Sequence, residues 1–195
     1  MGTRNLTMVI SNKETKVAQY GQWDGYPSGQ GATALNFLLN TNITEFKEKL
    51  NRVHFINDEK QKEIDEWLKS IGSENGWLNM EQSSQYQKKY PLLTRDNGAG
   101  VLQLIMDSTE DELWLHDQSE FAADSLFCEW AYVIDLDKGY FEVYEGFQKK
   151  PLGKTQRFKH LESEGSEYYP VRMIKKYDLD NLPTEEQFLE DFKNK

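Results

Sequence analysis

A glycine-rich segment holds the residues of this sequence that are best suited to bind a ligand. The stretch GQWDGYPSGQG, residues 21–31, contains four glycines together with Trp23, Asp24 and Tyr26. Glycines let backbone amides approach a bound group closely, and a helix that starts after such a loop adds free N–H groups and partial positive charge. The pattern predicts a pocket for a small anionic or polar ligand at this glycine loop, a name that we keep for residues 21–31.

The side chains of the glycine loop favour a nucleotide-like ligand. Trp23 and Tyr26 offer faces on which a planar ring can stack, and Asp24 can orient a hydroxyl or an amine. Gln22 and Ser28 complete the ligand-binding residues that are predicted within the loop. The spacing matches neither the Walker phosphate loop nor the dinucleotide fingerprint.

A purely structural turn is the alternative interpretation of the same loop. The segments DG (24–25) and PSG (27–29) are both good turn formers. Trp23 and Tyr26 would then fill the core below the turn. Loops that expose aromatics together with a carboxylate tend to carry function, and this tendency favours the ligand site.

Two arginines are the basic residues that we expect beside the glycine loop. Arg4 and Arg95 lie outside runs of like charge, and a guanidinium group binds phosphate or carboxylate through two hydrogen bonds. With Asp96 and Glu129 they complete the predicted ligand-binding set. Because buried charges need partners, salt bridges to Glu129, Asp96 or Asp124 are the structural alternative.

An enzyme that uses carboxylates near the glycine loop, either a hydrolase or a transferase, is the second functional hypothesis. Asp24, Asp96 and Asp124 are residues of the kind that bind hard cations, but their spacing does not require a metal and none is predicted. The three histidines lie far apart and show no zinc-like spacing. Cys128 has no histidine close in sequence, so we predict a buried core cysteine. The sequence identifies no cofactor.

The charge of the chain limits its partners. The sequence has 33 Asp and Glu against 23 Lys and Arg, a net charge of −10 at pH 7, so repulsion opposes general binding to nucleic-acid backbones. A third hypothesis is an acidic module that binds a protein partner or mimics nucleic acid. No apolar run approaches the roughly 20 residues that span a bilayer, and no apolar signal segment is visible. These features, with a single cysteine, predict a cytoplasmic protein without membrane insertion.

The order of the predicted elements favours an α+β fold. A β-hairpin comes first, a helical block follows, a second β-hairpin lies in CEWAYVIDLDKGYFEVYEG, and a helix ends the chain. Strands and helices do not alternate regularly, which favours an antiparallel sheet of hairpins over a parallel doubly wound sheet. We predict a single domain over residues 1–195, with residues 41–90 as a helical insertion.

Local patterns place several helices within this order. A short helix over 33–40 would turn Leu35, Leu38 and Leu39 inward, and a second helix that starts after Asn42 would extend its apolar stripe to Val53. Residues 58–71 form a third predicted helix. Thr184 and Gln187 have the spacing of a capping box at the start of the last helix.

The stretches that carry these features resemble a sparsely characterised family found in bacteria, bacteriophages and fungi. The similar segments are MGTRNLT, VAQYGQWDGYPSGQG, LLTRDNGAGVLQLI, SLFCEWAYVIDLDKGYFEVYEG and LPTEEQFL, so the resemblance covers most of the chain. It implies one compact unit and no established activity. A phage origin would imply interference with a host process.

Overall fold

Seven strands and six α-helices follow one another in this computed structural model, which describes residues 2–73 and 76–193. The strands are β1 (Asn5–Ser11), β2 (Glu14–Gly21), β3 (Val53–Phe55), β4 (Leu113–Leu115), β5 (Trp130–Asp135), β6 (Tyr140–Glu145) and β7 (Arg172–Asp178). The helices are α1 (Ala32–Asn40), α2 (Ile43–Leu50), α3 (Asp58–Ser70), α4 (Met80–Lys89), α5 (Val101–Asp107) and α6 (Glu185–Asp191).

A five-stranded sheet in the order β2-β1-β5-β6-β7 forms the centre of the fold. All its neighbouring strands are antiparallel except β1 and β5, which run parallel with Asn5 opposite Trp130. The predicted α+β class, its β-hairpins and its C-terminal helix are therefore confirmed, although the parallel pair makes the sheet mixed. β3 and β4 form a separate two-stranded sheet, so the predicted insertion 41–90 also contains a strand that pairs outside it.

The turns that close the two hairpins follow from their residue types. Asn12 and Lys13 form the turn between β1 and β2, with φ of 57° and 65°, as a two-residue hairpin turn requires. Gly139 follows β5 with φ of 74°, the conformation that glycine adopts at least cost. These turns fix the register in which each hairpin buries its alternate side chains.

The sheet has an apolar layer on each face. Buried side chains of α1, α2, α5 and α6 pack on one face against Val9, Tyr132 and Phe141. On the other face, Leu152 and Phe158 from the long connection between β6 and β7 pack on Leu6 and Val133. Both faces are covered, which explains why β5 is buried along its whole length.

Three local expectations need correction or are settled by the structure. Leu39 is 44% exposed and so does not point inward as predicted, whereas Leu35 and Leu38 are buried. The helix after Asn42 ends at Leu50, and Val53 begins β3 instead of extending the helical stripe. The predicted capping box at the start of α6 is confirmed.

A buried charge cluster joins β5 and β6 to the connection that covers them. The side chains of Asp135 and Glu142 are only 2% and 9% exposed. Arg157 Nη2 lies 2.6 Å from Asp135 Oδ2 and 2.9 Å from Glu142 Oε2, and the Tyr144 hydroxyl donates to Glu142 Oε2 over 2.6 Å. The arrangement supplies each buried carboxylate with charged and neutral donors, as burial of charge requires.

The pKa of Asp135 makes this cluster sensitive to acid. Burial by itself would raise that pKa, but hydrogen bonds from the Arg157 guanidinium and the Lys138 backbone amide, together with the positive charges of the Arg157 and Lys138 side chains, lower it below its ordinary value. A lowered folded-state pKa contributes stability above the unfolded value, about 3.9, that is lost as the pH falls through the folded pKa.

We therefore expect Asp135→Asn to destabilise the protein at pH 7 and to cost less below about pH 4. Urea unfolding of both proteins between pH 7 and pH 3 measures this, with the exposed Asp111→Asn as the matched control. A stability difference that is independent of pH would contradict the expected linkage.

Candidate functional site

The topology brings the glycine loop and the first residues of strands β1 and β5 to one end of the sheet. β2 runs into the loop at Gly21, and the parallel strands β1 and β5 begin beside it. Arg4 directly precedes β1 and Glu129 directly precedes β5. The sequence-predicted residues of these three segments therefore share one edge, which we call the loop edge.

Hydrogen bonds to neighbouring segments of the chain fix the conformation of the glycine loop. The Gly25 amide donates to the Thr3 carbonyl over 2.9 Å, and the buried Tyr132 hydroxyl donates to the Gly25 carbonyl over 2.7 Å. Burial raises the pKa of Tyr132, which keeps this donor protonated. Gln30 Oε1 accepts from the Ala99 amide over 2.7 Å. The loop is thus tied to β5 and to the segment before α5.

The amides of the second half of the loop donate within the loop. Gly29 and Gly31 both donate to the Tyr26 carbonyl, at 2.9 and 3.3 Å, and Gln30 donates to the Asp24 carbonyl at 2.8 Å. A single π-helical turn over Pro27–Gly31 leads into α1. These three amides are therefore not the anion donors that the glycine pattern suggested.

The glycines instead allow close packing of backbone segments. A Cβ on Gly29 would lie 2.2 Å from the Asp24 carbonyl oxygen, and a Cβ on Gly25 would lie 2.7 Å from that of Thr3. Asp24 itself has φ of 54°, a conformation that Asp and Asn adopt more readily than most residues. Tight backbone contacts of this kind hold one loop conformation.

The two large aromatics of the loop lie on its surface. Trp23 and Tyr26 are both 52% exposed, so neither fills the core as the structural alternative required; Tyr132 lies beneath the loop instead. The ring of Trp23 rests on Gly2, where an added Cβ would lie 2.3 Å from Trp23 Cε3. A flat aromatic face is therefore held beside solvent on a fixed backbone.

Arg4 meets Glu129 as the structural alternative predicted, and it also stacks on an aromatic ring. The Arg4 amide donates to Glu129 Oε1 over 3.2 Å, and Arg4 Nε lies 4.0 Å from the same oxygen. The guanidinium carbon lies 4.5 Å above the centre of the Phe127 ring. Arg4 Nε is buried and has no hydrogen-bond partner within the described chain.

Arg95 is held against the loop by Gln22. Arg95 Nη2 donates to Gln22 Oε1 over 2.5 Å, and the Tyr20 hydroxyl donates to the same oxygen over 2.5 Å. Asp96 lies 3.8 Å from Arg95 Nε, and both side chains are largely exposed. Ser28 and Asp24 are exposed on the same loop. The second arginine therefore extends from the loop edge into solvent.

Sequence reasoning missed three residues of this edge. The ring of Trp23 packs on Gly2, and the guanidinium of Arg4 stacks on the ring of Phe127. Asn5 is fully buried, and its side-chain amide donates to the carbonyls of Gly21 and Trp23 at 3.2 and 3.3 Å. No signal in the sequence indicated the burial of Asn5, because Asn5 and Thr7 alternate with Leu6 and Met8 as in a strand with one polar face.

The carboxylates near the loop do not assemble into a metal centre. Within residues 2–73 and 76–193, no group of three or more His, Cys, Asp and Glu side chains is arranged to hold a metal ion. Glu129 interacts with Arg4, and Asp96 interacts with Arg95. Each of these two carboxylates therefore lies beside an arginine.

Cys128 is fully buried, which confirms the predicted core cysteine. Burial raises the pKa of its thiol, and the negative charges of Asp124 and Glu129 act in the same direction.

We expect the native protein to resist a thiol reagent such as DTNB and to react stoichiometrically once unfolded, because the thiolate is the reactive form. Cys128→Ser should leave ligand binding intact. A Cys128→Ser variant that stays folded but no longer binds ligand would contradict the assignment of Cys128 to the core.

Comparisons with protein-family models, with curated proteins and with solved structures find no match. The resemblance inferred from the sequence motifs therefore stays a prediction. Across the described residues, no helix has both the length and the apolar character needed to cross a bilayer.

Proposed function

We propose that the loop edge binds a small planar anion of the nucleotide class. The observation that carries the proposal is the half-exposed Trp23 ring, which lies on Gly2 at the start of a backbone that is hydrogen-bonded into one conformation. Tryptophan is highly buried on average, and Trp and Tyr are enriched at interfaces, where one side of the ring is apolar and the other is wet. A base can stack on such a ring without ordering the loop first, which lowers the cost of binding.

The two arginines supply the charge that such a ligand requires. The Arg4 side chain is 22% exposed beside Phe127, and the Arg95 side chain is 67% exposed beside Gln22. A protein with a net charge of −10 repels anions at long range, so local guanidinium groups are needed to hold one. We assign the base to Trp23 and Tyr26, and the phosphate or carboxylate to the arginines.

Calorimetric titration with adenosine and guanosine mono- and triphosphates tests this assignment through Arg95→Gln. Hydrogen bonds to charged groups are worth about 1.5–3 kcal/mol, so we expect a loss of roughly tenfold or more in affinity and a weaker dependence on salt. Because the Arg95 side chain is largely exposed, the melting temperature of the Arg95→Gln variant should stay near that of the wild type.

Arg4→Gln is expected to weaken binding in the same way and to cost stability as well, because Arg4 also interacts with Glu129. Arg52→Gln is the matched control, since Arg52 donates to the Glu110 carbonyl away from the loop. Variants of Arg4 and Arg95 that melt lower but bind every nucleotide normally would contradict the proposal.

A protein partner at the same edge is the second candidate, because exposed aromatics continue beyond the glycine loop. Phe127 is 44% exposed and Phe147 is 55% exposed, and the Phe147 amide donates to the Ser125 carbonyl over 2.6 Å. Aromatic residues, phenylalanine included, and arginine are enriched at protein interfaces. Phe147→Ala separates the candidates, because it should weaken a protein complex and leave nucleotide binding unchanged.

A further inference from the structure

One side-chain oxygen holds the exposed guanidinium of Arg95 at the loop edge. Gln22 Oε1 accepts from Arg95 Nη2 and from the Tyr20 hydroxyl, each over 2.5 Å. An arginine has donors only, so the atom that it meets must be the amide oxygen of Gln22 and not the amide nitrogen. The Tyr20 hydroxyl meets the same oxygen and therefore donates as well. These two contacts fix which way the Gln22 amide is turned.

Tyr20 is itself held within the fold. It lies in β2, and its backbone amide donates to Gln118 Oε1 over 2.8 Å. Its ring meets the ring of Phe121 edge-on, with 5.0 Å between the ring centres. The hydroxyl that orients Gln22 is therefore carried by a side chain that packs against the body of the protein.

The backbone that carries Arg95 is anchored to the same strand. The Asn97 amide donates to the Thr94 carbonyl over 3.2 Å, which closes a turn around Arg95. Gln19 of β2 is 4% exposed, and its side-chain amide donates to the same carbonyl over 3.3 Å. Both the main chain and the guanidinium of Arg95 are thus connected to β2 by hydrogen bonds.

Gln22 and Arg95 keep donors that the chain does not use. The amide oxygen and nitrogen of Gln22 lie on opposite sides of one carbon, so fixing Oε1 on Arg95 also fixes the direction of Nε2. Nε2 makes no hydrogen bond to any residue that the structure describes. Of the five N–H donors of Arg95, one hydrogen bond is made within the described chain. Asp96 Oδ1 lies 3.8 Å from Arg95 Nε, which is too far for a hydrogen bond.

Two donor groups side by side select a ligand group that only accepts hydrogen bonds. Both acceptor positions of Gln22 Oε1 are occupied by Tyr20 and Arg95, so Gln22 offers a ligand donors alone. An ionised phosphate has acceptors alone and a negative charge, and it forms strong hydrogen bonds with guanidinium groups. The chemistry of the pair therefore matches a phosphate better than a hydroxyl or an amine.

We propose that Tyr20 and Gln22 orient Arg95, and that Gln22 Nε2 and Arg95 together bind the phosphate of a nucleotide. The inference rests on the nucleotide site proposed at the loop edge and states which group of the ligand determines its recognition. Tyr20 is a positioning residue, because it acts on the ligand only through Gln22. An arginine that is ordered before the ligand arrives lowers the cost of binding.

Calorimetric titration with adenosine monophosphate and with adenosine tests the positioning role through Tyr20→Phe, which keeps the ring and removes only the hydroxyl. We expect the affinity for adenosine monophosphate to fall about 2- to 12-fold, the range that corresponds to ordering one long side chain. Binding of adenosine, which has no phosphate, is weaker from the start and should not change. Equal affinity of the wild type and Tyr20→Phe for adenosine monophosphate would overturn the positioning role.

The matched control is Tyr177→Phe. This variant removes a hydroxyl that donates to Asp191 Oδ2 over 2.7 Å from β7, the opposite edge strand of the sheet. It should leave the affinity for adenosine monophosphate unchanged. An equal loss of affinity in both tyrosine variants would show that the effect does not come from Arg95.

Gln22→Glu separates orientation from recognition. A glutamate keeps an oxygen for Arg95 and Tyr20 but has no N–H donor, and its charge repels phosphate. We expect adenosine monophosphate to bind at least about tenfold more weakly to this variant, as for the loss of a hydrogen bond to a charged group. Undiminished affinity of Gln22→Glu would overturn the assignment of Gln22 to the phosphate.

The Arg95 Nε–H signal in a ¹H–¹⁵N spectrum of the free protein measures orientation without any ligand, and Arg95→Lys identifies it. Its ¹⁵N relaxation should report an ordered side chain in the wild type and in Gln22→Glu, and a mobile one in Gln22→Leu. Identical relaxation in Gln22→Leu and the wild type would overturn the orienting role. If the relaxation behaves as expected and no nucleotide binds at millimolar concentration, the nucleotide site and the phosphate-binding role of Gln22 are wrong, whereas the orienting role stands.

Discussion

Replacing Trp23 by alanine is expected to weaken nucleotide binding about 5- to 150-fold while the protein stays folded. Stacking of a base on an aromatic side chain is worth about 1–3 kcal/mol, which corresponds to that range. The ring is half exposed and rests on Gly2, so its removal uncovers a glycine and opens no cavity in the core. Calorimetry gives the affinity, and a thermal melt of the same variant gives the stability.

The control for Trp23 is another exposed tryptophan of the same chain. Trp77, in the connection between α3 and α4, is 87% exposed and lies away from the loop edge. We expect Trp77→Ala to leave nucleotide affinity unchanged. If Trp23→Ala lowers the melting temperature strongly and binds nucleotides like the wild type, then Trp23 stabilises the fold and does not form a stacking platform.

The largest effect on stability is expected for Arg157→Leu. The guanidinium is the charged partner of two carboxylates that are almost completely buried, Asp135 and Glu142. Removing one member of a buried ion cluster costs about 3–5 kcal/mol, because the remaining charges are left without compensation. Urea unfolding at pH 7 measures the difference in the free energy of unfolding.

Two further variants identify the cause of that loss. Lys154→Leu removes an exposed charge from the same connection and should change stability little. Adding Asp135→Asn and Glu142→Gln to Arg157→Leu removes the uncompensated charges and should recover part of the lost stability. A loss below about 1 kcal/mol for Arg157→Leu would contradict the role assigned to the cluster.

Local chemistry made most elements of the fold predictable. Alternating apolar residues and turn formers located both hairpins, and Thr184 with Gln187 located the start of α6. The parallel pairing of β1 with β5 was not predictable, since it joins Asn5 to Trp130 across more than half of the chain. Val53 was misassigned because a short strand directly after a helix can continue the helical spacing of apolar residues.

The candidate site was predictable in its position and less so in its chemistry. The glycine spacing located the loop, and Arg4, Arg95 and Glu129 do lie beside it or beside each other. The direction of the loop amides could not be read from the sequence, because it depends on the π-helical turn that uses them internally. Phe127 was missed because a stacking partner of an arginine has no fixed spacing along the chain.

The signal of the Trp23 side chain is the most direct test of the central claim that the loop edge binds a nucleotide-like anion. The five tryptophans give separate indole N–H signals in a ¹H–¹⁵N spectrum, and Trp23→Phe identifies the one that belongs to Trp23. On titration with the nucleotide panel, we predict a saturable shift of the Trp23 signal with little change at Trp77. Titration to millimolar concentration of every nucleotide without a shift at Trp23 would contradict the claim.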